Sequence, residues 1–191
     1  MKNPCKQALI AAAISAAVAV PQLASAETTT VTGAGTIAAD ARVDFRVIIP
    51  GVLRFRVGSA AGIDQIVFAP TPAEMVAGTD VVATAGSGDL GNGAVTVDIL
   101  SNSGQIDITQ DSNGAFLIGT ANNMPFTEIL TASNDVTNLP APVLGTNDSS
   151  QPTLTGNLTN ESATWTYTYD NTFAYNSDIY DGRVTYTASS P

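Results

Sequence analysis

A chain of 191 residues carries seventeen acids against seven bases, no histidine, and one cysteine and two lysines that all fall within the first six positions. From residue 7 onward a thiol nucleophile, a Schiff-base lysine, a Ser-His-Asp triad and a His/Cys zinc site are excluded. The acid excess also argues against nucleic acid, whose phosphates need clustered Lys and Arg, and against an electrostatic grip on anionic lipid.

The chain opens with Lys2 and Lys6, runs through the apolar stretch Ala8 to Val20, and reaches Ala24-Ser25-Ala26. That order predicts an export signal over residues 1–26, cut before Glu27. Cys5 precedes the apolar stretch, so it is not placed as a lipoprotein cysteine would be. Removal of the signal leaves 165 residues with five arginines, seventeen acids and a net charge of −12. A chain of that length forms one domain and buries roughly 70% of its unfolded surface without disulfides. No later segment approaches the eighteen or so apolar residues of a membrane helix, so a membrane-spanning protein is not expected.

After Glu27 the apolar residues recur with period two, the mark of half-buried strands. Residues 27–40 read as an N-terminal extension strand and 41–191 as a single β domain. Val43, Phe45, Val47 and Ile49 share one face, Arg42, Asp44 and Arg46 the other. Beyond Pro50-Gly51 the pattern resumes with Leu53, Phe55 and Val57. A three-residue loop would set Val47 opposite Phe55 and Ile49 opposite Leu53, and a single strand kinked at Pro50 fits equally well. Thr71-Pro72-Ala73-Glu74 has capping-box spacing with Gly78 as a stop, which predicts a turn or two of helix. Val95, Val97 and Ile99, the turn Ser101 to Gly104, then Ile106 and Ile108 predict a hairpin that sets Ile99 opposite Ile106 and Asp98 opposite Asp107. Asn113-Gly114 signals a tight turn before Ala115 to Ile118. Residues 133–152, with three prolines, read as a long loop or irregular edge, and Leu154 to Leu158, Thr164 to Tyr169 and Arg183 to Ala188 as further strands. Eight to ten short strands without a repeat predict an all-β, antiparallel two-sheet sandwich.

Only carboxylate chemistry remains open. The opposed Asp98 and Asp107 fit a cation clamp or a retaining-glycosidase pair, but a flat sheet face does not enclose a sugar, and a solvated face is the plainer reading. Asp111-Ser112-Asn113-Gly114 and the group Asp170, Asn171, Asn176, Asp178 and Asp181 offer oxygen ligands for calcium. Neither has EF-hand spacing, and turns favour Asp and Asn for backbone reasons. No catalytic residue, metal or cofactor is assigned. Trp165, Tyr167 and Tyr169 alternate with Thr164, Thr166 and Thr168, so the three rings share a face. Exposed, they would make a platform for sugar rings; the alternative is the core face of a central strand. The sequons at Asn147, Asn157 and Asn160 are chance matches in an Asn/Thr-rich chain.

Two segments carry a resemblance. Thr28-Thr29-Thr30-Val31-Thr32-Gly33-Ala34-Gly35-Thr36-Ile37 looks like the N-terminal extension of chaperone–usher pilins, and Tyr180-Asp181-Gly182-Arg183-Val184-Thr185-Tyr186-Thr187 resembles the closing strand of such pilins. Together they cover about a fifth of the chain after the signal. The resemblance implies a disulfide-free fimbrial major subunit with an immunoglobulin-like sandwich that lacks its last strand and receives one from the next subunit. Here Thr29, Val31, Gly33, Gly35 and Ile37 would form that assembly strand. It further implies other copies of the chain or related surface subunits as partners, and a periplasmic chaperone. The expected function is that of a non-enzymatic, exported, pilin-like subunit. A secreted carbohydrate-binding or adhesive module using Trp165, Tyr167 and Tyr169 is the alternative, and a small carboxylate-dependent hydrolase a third.

Overall fold

The computed structural model describes residues 28–190, so the export signal expected over residues 1–26 and its cut before Glu27 lie outside the described residues. The chain divides into two units, Met1–Ile49 and Pro50–Pro191. In the first, residues 28–49 contain neither helix nor strand, and every one of them is exposed. The period-two pattern is present there, but no strand is formed over these residues. The hairpin that would place Ile49 opposite Leu53 is not formed. Pro50 to Val52 instead lie along the Asn102 backbone and side chain. Asn102 donates through Nδ2 to the Pro50 carbonyl at 2.9 Å and through its N–H to the Val52 carbonyl at 3.2 Å, while Val52 N–H donates to Asn102 Oδ1 at 2.7 Å.

The second unit is all-β, built from two main antiparallel sheets. In chain order its strands are β1 (Leu53–Val57), β2 (Val81–Val82), β3 (Ala94–Ser101), β4 (Asp107–Asp111), β5 (Phe116–Ile118), β6 (Asn123–Pro125), β7 (Ile129–Ser133), β8 (Ser149–Ser150), β9 (Thr159–Tyr169) and β10 (Thr185–Ser189). The larger sheet runs β1-β3-β9-β2, with β7 also paired to β9; the smaller runs β10-β4-β8; β5 and β6 form a separate pair. β3 and β9 are central because their alternation is the longest and cleanest. Val95, Val97 and Ile99 from one, and Ala163, Trp165, Tyr167 and Tyr169 from the other, are buried on the same face. The register sets Val95 against Trp165 and Val97 against Ala163.

The hairpin expected over Val95 to Ile108 is not one. β3 pairs with β1 and β9, whereas β4 pairs with β10 and β8, so the turn after Ser101 carries the chain from one sheet to the other. Ile99, Ile106 and Ile108 are all buried in one core cluster, as the parity requires, but Ile99 and Ile108 belong to different sheets. Alternation fixes which side chains point inward; it does not fix which strand supplies the neighbouring ladder. Asp98 and Asp107 are therefore on different sheets.

The local signals are met closely. One helix, α1 (Pro72–Ala77), starts at Thr71 with a reciprocal capping box to Glu74 and ends at Gly78, whose φ of 61° is the left-handed conformation a glycine accommodates. Asn113, Gly114 and Ala115 all have positive φ in the turn before β5. The stretch 133–152 is irregular apart from β8, yet it sends Leu139, Pro142 and Leu144 into the core. It is anchored there by Ser133 Oγ donating to the Leu139 carbonyl at 2.7 Å and Trp165 Nε1 donating to the same oxygen at 3.2 Å.

Candidate functional site

A groove of about 1070 Å³ opens in the second unit between β1 and β10. One wall is Phe55 and Val57 of β1, with Ile66 and Phe68 from the segment that follows. The other is Val184, just before β10, and Tyr186 within it, and the floor is Val95, Phe126, Ile129, Tyr167 and Tyr169. Most of these side chains are apolar, and those on the walls are only half-buried. Both flanking strands are sheet edges: among the described residues β1 pairs only with β3, and β10 only with β4. The sandwich thus has two unpaired edges facing one apolar trough. An edge strand presents a row of free N–H and C=O groups, a template for another strand.

Local chemistry explains how the floor is held. Tyr167 on β9 and Tyr186 on β10 join the two sheets through their hydroxyls, 2.9 Å apart. Burial pushes the Tyr167 phenol up to about 12, and burial together with that neighbour pushes Tyr186 still higher, so the pair stays neutral. Trp165 meets Tyr186 edge-on with ring centroids 5.3 Å apart, and Phe68 lies 6.2 Å from Tyr169. Gly182, the glycine of the Tyr-x-Gly step, lies against the Phe126 ring; a Cβ at that position would sit 2.5 Å from Phe126 Cζ. The glycine there lets the chain approach the floor before it enters β10.

The residues singled out from the sequence separate clearly. Trp165, Tyr167 and Tyr169 are buried, and form core and groove floor rather than an exposed platform for sugar rings. Asp98 receives Arg56 Nε at 2.9 Å and Ser162 Oγ at 2.7 Å on the outer face, while Asp107 accepts from Gln151 Nε2 at 2.6 Å. The two carboxylates make no joint site. The Asp and Asn groups near turns serve the backbone: Asp178 accepts from the N–H groups of Thr120, Ala121 and Ile179, Asp111 from Asn113, and Asp170 from Thr172. Among the described residues no three His, Cys, Asp or Glu side chains come together to hold a metal. No helix among them is long and apolar enough to cross a membrane. The proposed assembly residues Thr29, Val31, Gly33, Gly35 and Ile37 are exposed and lie in no strand.

Two features were missed from the sequence. The wall formed by Ile66 and Phe68 had a signal in the run Ile66-Val67-Phe68, but without alternation around it. Glu128, on a single 3₁₀ turn (Phe126–Glu128), is buried with Oε2 unpartnered. Burial holds its carboxyl above the usual range, the Tyr175 hydroxyl opposes that, and Asp170 adds to it. No protein-family model matches the chain, nor does any curated protein or solved structure.

Proposed function

We propose that this chain is an exported, non-enzymatic structural subunit of the bacterial surface, pilin-like in that a β-strand from a neighbouring subunit completes its immunoglobulin-like sandwich. The observation that carries this reading is the apolar trough lying between two unpaired sheet edges, β1 and β10. Such a trough is a poor surface to leave in water, and a strand laid into it would satisfy both its side chains and its edge. A periplasmic chaperone would have the same trough to protect before assembly. The absence of histidine throughout, and of cysteine and lysine after Lys6, fits a protein whose work is mechanical.

The full chain, expressed for export and purified, tests this by light scattering across a concentration series and by electron microscopy. Regular oligomers or filaments that grow with concentration are the expected result. A chain that stays monomeric throughout, and whose Tm does not depend on concentration, overturns it.

A further inference from the structure

We infer that the strand entering the trough is the segment Val43–Ile49 of a second copy of this chain, and not the Thr29 to Ile37 stretch. The inference rests on the reading of the trough as a strand acceptor and names its occupant.

Four observations carry it. First, Val43, Phe45, Val47 and Ile49 alternate with Arg42, Asp44, Arg46 and Ile48, and the four inward-parity side chains are 67%, 90%, 82% and 77% exposed. Parity would put these four large apolar side chains on one face of a strand, and such a face is complementary to a trough walled by Phe55, Val57, Phe68 and Tyr186. At about 3.3 Å per residue, positions 43 to 49 span roughly 20 Å, ample to cover the five residues of β10. Second, the Thr29 to Ile37 stretch has only Val31 and Ile37 of comparable size, with Gly33 and Gly35 contributing no side chain between them. It would leave the middle of the trough unfilled.

Third, the charges are complementary. Residues 42–49 hold two arginines and one aspartate, whereas residues 50–191 hold fourteen acids against three arginines. A positive strand is drawn to an acidic acceptor, and the attraction weakens with salt. Fourth, the connection favours another copy. Only Pro50, Gly51 and Val52 separate the segment from β1, and a return onto the same domain would need those three residues as a turn. Asn102 instead engages the Pro50 carbonyl and both backbone polar groups of Val52, bonds with which such a turn would compete.

The test compares three forms of the full chain for self-association by analytical ultracentrifugation, with Trp165 fluorescence reporting the fold. The forms are the wild type, Phe45→Asp/Val47→Asp, and a deletion of residues 28–37. The inference expects the double variant to remain folded and to associate about tenfold or more weakly, because each carboxylate would have to be buried on binding. The deletion should associate like the wild type, and wild-type association should weaken as salt is raised. If the deletion abolishes association and the double variant leaves it intact, the inference fails while strand complementation stands. If the wild type is monomeric at every concentration, and a peptide of residues 40–51 added in excess leaves its Tm unchanged, the complementation reading itself fails. Should the double variant not fold, that same peptide decides: recovery of a cooperative melt, with a wild-type Tm that rises with protein concentration, supports a second copy as donor. A wild-type Tm independent of concentration shows that the segment completes its own domain, and overturns the inference.

Discussion

The two sides of the sandwich are made from the same strands and differ in what covers them. Where residues 133–152 pack against the sheets, Leu139 enters the core and Trp165 is 0% exposed, its indole N–H answered by a carbonyl. Between β1 and β10 the inward residues continue the same alternation, yet Phe55, Val57 and Tyr186 stay partly exposed, although residues 62–68 and 175–181 also line the trough, because no strand pairs across the two edges. Parity alone therefore does not make a core. A face is buried only where the chain, or another chain, brings something to put on it.

The contrast can be broken first at its closed side. Trp165→Ala should cost about 3–5 kcal/mol in urea unfolding followed by circular dichroism, since a fully enclosed ring would leave a cavity. A cost below about 1 kcal/mol would mean the covered side is not packed as described. At the open side, Phe55→Ala should cost the monomer roughly 1–2 kcal/mol, because its ring is only partly buried. The same substitution should cost more in the proposed assembly than in the monomer, which sharpens the difference between the two sides.

The smallest effect lies on the outer face of the open edge. The Ser162 hydroxyl, and then Arg56, hold the Asp98 carboxyl below its ordinary 3.8. Folding thus favours the ionised acid, so the stabilisation is complete above pH 3.8 and is lost as the pH falls through the lowered native value. The Arg56 and Asp98 side chains are 37% and 25% exposed, so solvent screening limits the pair to about 0.5–1 kcal/mol. Arg56→Ala should lower stability by that much at neutral pH, and the gap from wild type should close in acid, measured by urea titrations across the pH range.

Sequence and structure agree where the determinant is local. The helix at Pro72–Ala77 is legible because Thr71, Glu74 and Gly78 are partners within seven residues of one another. The inward parity of β3 and β9 is legible for the same reason: alternation is written residue by residue, and it correctly sends Trp165 inside. Partner choice is not written that way. Ile99, Ile106 and Ile108 look the same from sequence whether the turn at Ser101 makes a hairpin or crosses between sheets, because both solutions bury all three. The trough was the least legible feature, since it consists of an edge left unpaired on two strands 128 residues apart, Val57 and Thr185 marking its two rims. The carboxylate candidates fell for a related reason: spacing in the chain placed Asp98 near Asp107, and the crossing separated them.

That crossing also sets a tempo. Of the seven strand pairings among the described residues, only β5 with β6 joins consecutive strands; Val97 must find Ala163, and Gln110 must find Tyr186. Contacts so distant along the chain demand that large loops close before any of them is rewarded, which places folding in the millisecond-to-second range typical of such topologies. Throughout that interval the edges of β1 and β10 are available to any other extended chain nearby. The time a newly made molecule spends in this state, as much as the shape it reaches, determines whether its first encounter is productive.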